Sequence, residues 1–439
     1  MTSRYLSIAL GAESGRVMLG TLEDGRIEDI PVPLTWRREL LSDRVVVHAG
    51  ALFDGVSDEL RRNVDIVIDG NRIVRVDAHD ADLHRGRVVD ASDGVVSPGL
   101  IEMHTHGGLS SGEQLGRLWL SYGVTTIRTP AADAYQVSEA RESIAIGRRL
   151  GPRVFGTGSP VDGSRIYYDG GGGLASSAQV ELVLEQAGAM PYDVVKTYVR
   201  LSDAMQRRVI REAHAMGIPV TSHELYPAVA NGADGVEHVQ GTSRRGYSTK
   251  VSSLGRSYQD VVELLARSGM TITPTVGIYG SFGVLVADDA TLLDGPRIPV
   301  FFGDSINRGR ARGDLDTQRR MVSDMASLGR RVVVAGGVVV MGTDSPIIPQ
   351  GLSLIAEMEA MVRYGGMSAG DVMRATTSVS AEALGYETEF GRVRPGMLAD
   401  LVVFAGDPLS DIRNVRDVRV VVKDGRVYDL ENLLEGPAG

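Results

Sequence analysis

Two histidines stand two residues apart at the end of an apolar segment. The segment reads GLIEMHTH, and it contains His104 and His106. Alternate side chains of a β-strand point to the same side, so both imidazoles would face one site. The chain has no cysteine, so a metal ion could be bound only through nitrogen and oxygen donors. The spacing therefore indicates part of a metal site, and two hydrogen-bonded core histidines are the alternative.

Four further candidate ligands end other apolar segments. These are Lys196 after DVV, His223 in IPVTSHE, His238 in GVEHVQ and Asp344 in VVVMGTD. A lysine in this setting is a solvated strand end, a buried amine with a lowered pKa, or a neutral amine that reacts with CO₂. The resulting carbamate is an anionic oxygen ligand that can bridge two cations. Asp344 precedes Ser-Pro, where capping the next helix is the structural alternative.

Candidate substrate-binding side chains follow the same segments. Tyr198 lies two residues beyond Lys196, so on a continuing strand it faces the same way. Arg200 follows in the same loop and could clamp a substrate carboxylate with charge-assisted hydrogen bonds. Solvated loop residues are the alternative for both, and for the other candidates on that side, which are Arg128, Tyr167, Tyr168, Arg244 and Tyr247.

The chain has eight histidines, and the remaining four show no such pattern. They fall in strand-rich segments or on a helical stretch, without comparable partners. We expect structural or surface roles for these residues: His48, His79, His84 and His214.

The candidate ligands need a framework that brings strand ends together. From about 98 to 385, short apolar strands alternate with helical patterns, and eight such segments can be recognised: GLIEMHTH, GVTTIRTP, RVFGTGSP, DVVKTYVR, IPVTSHE, GVEHVQG, MTITPTV and VVVMGTD. Eight units predict an α/β fold of the (β/α)₈ TIM-barrel type, whose active sites lie at the carboxyl ends of the strands. Gly170–Gly173 is predicted as a mobile loop, and 290–336 as two helices and a loop.

Both ends of this segment are flanked by β-rich sequence. Residues 43–97 and 386–439 carry short Val- and Ile-rich runs with Asp-Gly turns. Neither part is large enough for its own core, so the two are predicted to form one composite β-sandwich domain around the barrel. Residues 1–42 form a further β extension whose role the sequence does not define.

Composition excludes several classes of function. The formal net charge of the 439-residue chain is −10, which argues against binding nucleic acid or an anionic membrane. No run approaches the length of a membrane span, and the first residues do not resemble a signal peptide. These observations favour a cytoplasmic enzyme acting on a small molecule.

The order of these motifs resembles the metal-dependent amidohydrolase superfamily, specifically its binuclear members with a carboxylated lysine. The resemblance runs from about Val45 to Asp429 and rests on VVSPGLIEMHTHGG, DVVKTY, TSHE, GVEHV, GTDSP and GRVRPGMLADLVVFAGDPL. Within the superfamily the chain is most similar to imidazolonepropionase-like and Xaa-Pro dipeptidase-like proteins. The first forty residues depart from it and look like the last strands of a propeller found upstream in some larger relatives.

The resemblance implies a ligand set and a mechanism. One metal would be bound by His104, His106 and Asp344 and the other by His223 and His238, with carboxylated Lys196 bridging them. Zn²⁺, Mn²⁺ or Co²⁺ suits these donors. A metal-bridging hydroxide would attack an amide-type carbonyl, Asp344 would move the proton to the leaving nitrogen, and Asp344, His238 and Lys196 would form the catalytic group.

Other functions remain open at this point. A mononuclear deaminase uses a similar barrel and ligand set with a glutamate general acid, for which Glu224 and Glu237 are candidates. A cyclase, amide-forming enzyme or dehydratase could use the same metals in biosynthesis. A metal-free binding protein is disfavoured because all six ligand positions are filled. A dipeptide, N-acyl amino acid or cyclic amide is the expected substrate, and a homo-oligomer is a possible assembly.

Overall fold

The computed structural model describes most of the chain, namely residues 4–10, 14–21, 27–33, 44–106, 112–168, 171–190, 192–240, 250–252, 258–303, 306 and 314–435. It divides into two compact units, residues 1–42 and 43–439. Each unit has its own sheets, and the two are described separately.

The strands in chain order are β1 Arg4–Leu10, β2 Ser14–Thr21, β3 Ile27–Pro33, β4 Val45–Leu52, β5 Arg61–Asp69, β6 Arg72–Ala78, β7 Arg87–Pro98, β8 Leu100–Glu102, β9 Val124–Thr129, β10 Arg153–Gly156, β11 Val161–Gly163, β12 Gly172–Leu174, β13 Val195–Thr197, β14 Val220–Ser222, β15 Gly235–Glu237, β16 Thr271–Thr273, β17 Val338–Val339, β18 Leu401–Phe404, β19 Val418–Lys423 and β20 Arg426–Asp429.

The α-helices are α1 Gly112–Ser121, α2 Ala134–Ala145, α3 Ser177–Ala189, α4 Asp203–Ala215, α5 Gln259–Ser268, α6 Ser281–Asp288, α7 Arg297–Phe301, α8 Leu315–Val334, α9 Leu352–Arg363, α10 Ala369–Ala375, α11 Ser378–Ala383 and α12 Leu430–Glu435. Their starts follow local chemistry: the Ser176 hydroxyl and the Gln179 side chain form a capping box at α3, and Asp314 caps α8.

The first unit is a small antiparallel sheet in the order β1-β2-β3. β2 is the central strand and pairs with both neighbours.

The second unit contains a sheet whose strands come from the two ends of residues 43–439. Its strand order is β20-β19-β18-β7-β4-β5-β6. The central contact is the antiparallel pair of β18 with β7, and β7 also pairs in parallel with β4. Apolar side chains from both segments form one buried cluster on this sheet, including Val47, Ile66, Leu401 and Val422. Pairing between the two segments thus supplies the core that neither has alone.

The residues between those segments form parallel sheets with helices between the strands, an α/β arrangement as predicted. One sheet has the order β10-β9-β8 and the other β12-β11-β13-β14-β15-β16-β17, with every pair parallel. All eight predicted segments contain a strand. Their short Val- and Ile-rich strands are buried, as expected for parallel strands covered by helices.

Two local predictions can be compared with these elements. Within the glycine run, Gly170 lies outside the described residues, but Gly172 and Gly173 begin β12 and pair with β11, so the mobile-loop prediction is wrong there. A tight approach favours glycine at this strand because Gly173 would place a Cβ 3.2 Å from the Ile166 side chain. The predicted helices of 290–336 are confirmed as α7 and α8.

Among the described residues, none of the helices has the length and apolar character required to cross a membrane.

Candidate metal centre

The ends of parallel strands bring three of the predicted ligands into contact. The Nε2 atoms of His104 and His106 are 3.1 Å apart, and Asp344 Oδ1 lies 2.9 Å from His106 Nε2 and 3.4 Å from His104 Nε2. Donor atoms of all three residues lie within 4.8 Å of one another, so together they could hold a metal ion.

The orientation of His104 is set by a buried carboxylate. Glu237 Oε2 lies 2.6 Å from His104 Nδ1, and Glu237 Oε1 accepts a hydrogen bond of 2.6 Å from Arg128. A carboxylate only accepts, so Nδ1 carries a proton and Nε2 is the ring nitrogen that faces Asp344. Two imidazole nitrogens and a carboxylate oxygen that face one another are a donor set that a divalent cation binds, so these residues fit a metal ion.

Protonation states are also those that a metal requires. Burial lowers the pKa of His106 to about 4 and the pKa of His238 well below its usual range. Burial alone would raise the pKa of Asp344, but His104 and His106 outweigh it and hold that pKa below its usual range. His106 and His238 are therefore neutral and Asp344 is ionised at neutral pH, which are the ligand forms that bind divalent cations.

His238 lies next to His104 and Asp344. Their ring centroids are 4.7 Å apart, and His238 Nδ1 is 3.9 Å from Asp344 Oδ2. The Thr275 hydroxyl is 2.7 Å from His238 Nδ1, which leaves Nε2 as the remaining ring nitrogen for a metal. His238, Thr275 and Asp344 all have positive φ angles, 67°, 51° and 59°. Such backbone costs about 1–3 kcal/mol per residue and is concentrated at functional sites.

His223 and Lys196 extend the group along β13 and β14. The His223 ring lies 4.8 Å from the His238 ring and 4.7 Å from the Tyr198 ring, centroid to centroid. Lys196 is buried, its Nζ lies 5.7 Å from the Tyr198 ring centroid, and burial lowers its pKa. Both residues thus border the Asp344 cluster without belonging to its tightest contacts.

Two buried side chains missed by the sequence analysis anchor the loops that carry the ligands. Glu102 Oε1 accepts hydrogen bonds of 2.9 Å from the backbone N–H groups of His104 and Thr343, which joins the first and last strand ends. Lys250 Nζ donates to the carbonyls of His223 and Glu237 at 3.1 and 2.8 Å. Glu102 was detectable from its position two residues before His104, on the same face of a strand.

The predicted substrate-binding residues occupy different environments. Tyr198 is buried, and its ring lies 5.6 Å from that of Tyr168. The Arg200 guanidinium donates to the carbonyls of Arg165 and Ile166 at 3.1 and 2.6 Å and lies over the Tyr167 ring, so it supports that loop.

Of the other loop candidates, Arg128 is buried. It donates to the Met103 carbonyl as well as to Glu237. Its Nε and Nη2 donors are thus used inside the protein, which favours a structural role for Arg128 over a clamp on a substrate. Arg244 and Tyr247 lie outside the described residues.

The expectation that the other four histidines lack comparable partners is wrong for three of them. His48, His79 and His84 surround the buried Asp65 on the composite sheet. Long-range strand pairing creates this group, so spacing along the sequence does not reveal it. His214 is a partly exposed residue that pairs with Asp234 at 2.8 Å, in agreement with a surface role.

Comparison with known proteins defines the class. The amidohydrolase family model matches residues 95–428, so the chain belongs to the amidohydrolase family and is a hydrolase acting on carbon–nitrogen bonds. No curated protein matches the sequence.

Solved structures share the fold. A Xaa-Pro dipeptidase with bound methionine is 22% identical, with a TM-score of 0.68 over 88% of this chain and 100% of that chain. A putative prolidase from Bifidobacterium longum is also 22% identical, with a TM-score of 0.68 over 90% and 99%. Molinate hydrolase is 21% identical, with a TM-score of 0.66 over 90% and 97%. The similarity to prolidase-like amidohydrolases agrees with the branch that the sequence motifs resemble.

Proposed function

We propose that this amidohydrolase is a metal-dependent enzyme that cleaves an amide-type C–N bond in a dipeptide, an N-acyl amino acid or a cyclic amide. The observation that carries the proposal is the convergence of His104, His106 and Asp344 at the ends of parallel strands. Structural similarity to proteins described as a Xaa-Pro dipeptidase, molinate hydrolase and phenylurea hydrolase B supports this class of bond.

The proposed centre holds two divalent cations, with Zn²⁺ the first choice and Mn²⁺ or Co²⁺ as alternatives. His104, His106 and Asp344 would bind one, and His223 and His238 the other. Lys196 would bridge them as a carbamate, formed when its amine nitrogen bonds to CO₂ and loses a proton. Burial supports this because it lowers the pKa of Lys196 and so favours the neutral amine that reacts with CO₂.

When bound, the cations would lower the pKa of a water molecule between them and polarise the substrate carbonyl. Asp344 would accept a proton from that water and pass it to the leaving nitrogen. Its carboxylate contacts both His104 and His106, and these contacts hold its oxygens in a fixed direction. His238 contributes through the nitrogen that Thr275 does not engage.

A deaminase mechanism is less well supported. Glu237, one candidate for its general acid, already accepts hydrogen bonds from Arg128 and Thr221 and contacts His104. Arg128 and His104 hold the pKa of Glu237 well below its usual range despite burial, so the carboxyl carries no proton to donate. Glu237 is therefore better suited to position His104.

The substrate would enter on the side of Tyr198. Tyr198 stands between the His223 ring and the Tyr168 ring, so its phenol is suited to contact a substrate bound near the second cation. Arg200 donates to the backbone of the Arg165–Tyr168 loop. It would support this loop beside the substrate, and it would contact the substrate itself only after these hydrogen bonds change.

The two parallel sheets are proposed to close into an eight-unit barrel, with 98–385 as catalytic domain, 43–97 and 386–439 as a composite β-sandwich domain, and 1–42 as an extension. Hydrogen bonds support closure: Met103 N–H donates to the Met341 carbonyl at 2.8 Å, and Thr105 forms a parallel bridge with Ser345. These contacts join β8 to the segment after β17.

Replacing Asp344 by Asn tests the proposal. The amide cannot accept the proton, so kcat should fall by about 10²–10⁴-fold in protein reconstituted with Zn²⁺ and bicarbonate. The assay is a panel of dipeptides, N-acyl amino acids and cyclic amides, with metal content measured for each preparation. Asp234→Asn, which alters a surface Asp–His pair, is the matched control and should keep full activity.

Full turnover by Asp344→Asn with both metals bound would refute the proton transfer. Inactivity of the wild type across the whole panel would refute the substrate class and favour a biosynthetic reaction.

A further inference from the structure

A second group of metal-binding side chains lies on the composite sheet. His48 of β4 stands directly opposite Asp65 of β5 in the antiparallel pair. His79 follows β6, and His84 follows a single 3-10 turn at Ala81–Leu83. Four chain positions that are distant in sequence therefore meet at one point, and none of them belongs to the centre at the ends of the parallel strands.

Their donor atoms converge on one carboxylate. Asp65 Oδ1 lies 2.8 Å from His48 Nδ1, 3.2 Å from His79 Nδ1 and 3.2 Å from His84 Nε2, and His79 Nδ1 is also 3.2 Å from Oδ2. Donor atoms of all four residues are within 4.8 Å of one another. Asp65 is fully buried, and the histidine side chains are between 12% and 30% exposed.

Three imidazoles around one buried carboxylate are more than a histidine–aspartate pair requires. The carboxylate offers about four acceptor sites, and the three ring nitrogens together with one backbone N–H would occupy all of them. That backbone N–H belongs to Asp80 and donates to Oδ2 at 2.8 Å. A histidine–aspartate ion pair needs only one imidazole, as His214 and Asp234 show at the surface.

The same distances suit a tetrahedral cation. Zinc bonds of about 2.0–2.1 Å place neighbouring ligand atoms roughly 3.4 Å apart. The nitrogen–oxygen separations of His79 and His84, both 3.2 Å, are close to that value, and that of His48 is shorter at 2.8 Å. His79 and His84 are also separated by four residues, within the His-x₃₋₅-His spacing typical of zinc sites.

We propose that His48, Asp65, His79 and His84 form a structural Zn²⁺ site. Four protein ligands complete a tetrahedron and leave no position for substrate, so this metal stabilises the fold and takes no part in catalysis. It ties β4 and β5 to the connection between β6 and β7.

Chemical protection of histidines in the wild-type protein tests the site directly. The full-length protein is treated with diethyl pyrocarbonate, once loaded with Zn²⁺ and once after chelation, and modified histidines are located by mass spectrometry. His79 and His84 should react at least several-fold more slowly in the Zn²⁺-loaded protein. His214 should react equally in both. Equal reactivity of His79 and His84 with and without Zn²⁺ would overturn the proposal, and this test requires no variant to fold.

Metal stoichiometry gives a second, independent measurement. His84→Ala changes a partly exposed ligand outside the strands, and after dialysis it should bind about one Zn²⁺ per chain fewer than the wild type. His214→Ala is the matched control and should bind as much as the wild type. Retention of the wild-type zinc content by folded His84→Ala would contradict the site.

His104→Ala distinguishes the two centres. In this variant Zn²⁺ should still protect His79 and His84, whether or not the proposed catalytic metals exist.

Discussion

Glu237 connects a metal-ligand candidate to a buried charge. Its two oxygens contact His104 Nδ1 and Arg128 Nη2, both at 2.6 Å, and the side chains of His104 and Glu237 are fully buried. A carboxylate behind a ligating imidazole fixes the ring and its tautomer. Arg128 in turn supplies the charge that lets a carboxylate stay ionised inside the protein.

Replacing Glu237 by Gln should therefore have two effects. Arg128 loses its buried counter-charge, which should lower the free energy of unfolding by about 3–5 kcal/mol. His104 loses its anionic partner, which should weaken metal binding by about 10–100-fold. Urea unfolding and Zn²⁺ titration against a competing chelator measure the two effects.

Glu263→Gln is the matched control, because Glu263 pairs with Arg267 at the exposed surface and its loss should change stability by less than about 1 kcal/mol. Unchanged metal affinity and stability in Glu237→Gln would show that this carboxylate positions neither partner.

The spacing of residues along the sequence identified the candidate metal ligands but did not reveal the buried side chains that surround them. His104 and His106 are recognisable because two residues on one strand share a face. Glu237 lies 133 residues from His104, so only the parallel order of the strands brings them together. Asp65 and its three histidines escaped prediction for the same reason.

At the scale of elements, α9 fixes the turn that follows β16. Glu357 of α9 accepts hydrogen bonds of 2.7 and 2.8 Å from the backbone N–H groups of Val276 and Gly277. The side chain is fully buried, and burial raises the pKa of Glu357 to about 8. The turn follows Thr275, which contacts His238, so α9 supports the candidate centre from behind.

This carboxyl should make stability depend on pH. Its pKa is about 8 in the folded protein against 4.5 ordinarily, so between these values the folded state holds a proton that the unfolded chain has released. The contribution of Glu357 to the free energy of unfolding is fully present below about pH 4.5. It falls as the pH rises to about 8 and does not change further above that. Glu357→Gln does not titrate, so its free energy of unfolding should fall less over this range.

The variant should also be less stable by about 1–3 kcal/mol near pH 5, since one backbone N–H loses its acceptor. Urea unfolding of both proteins at pH 5, 6, 7 and 8 gives the comparison, and exposed Glu263→Gln should follow the wild-type slope. Parallel curves for wild type and Glu357→Gln would refute the proton linkage.

The sequence predicted where most strands and helices occur, but it did not predict the bounds of each strand. Apolar runs between helical patterns identify strands because parallel strands are buried on both faces. β12 was missed because its glycines have low strand propensity, and only its pairing with β11 makes them a strand. The strands are also shorter than the apolar runs that predicted them: β8, β14 and β15 end just before His104, His223 and His238, whereas Lys196 lies within β13.

On the scale of the second unit, a partly buried group of charged side chains joins the parallel sheets to the composite sheet. Arg153 begins β10, and its guanidinium bonds Asp400 at 2.6 Å and Asp424 at 2.5 Å. Asp400 also accepts the N–H of Asp424 at 2.7 Å. The sequence predicted that the two end segments pair, because neither has a core of its own, but not which charges would lie between the sheets.

Asp400→Asn should weaken that junction. Arg153 would keep only Asp424, whose side chain is 41% exposed, so the free energy of unfolding should fall by about 1–3 kcal/mol. Because the sheets share this group, the loss should appear as a lower midpoint of a single urea transition followed both by far-UV circular dichroism and by tryptophan fluorescence. Asp93→Asn is the matched control, since Asp93 pairs with Arg419 at the surface. A variant in which the two signals separate would instead show that the composite sheet unfolds on its own, with Arg153 and Asp400 acting as a local contact and not as a link between sheets.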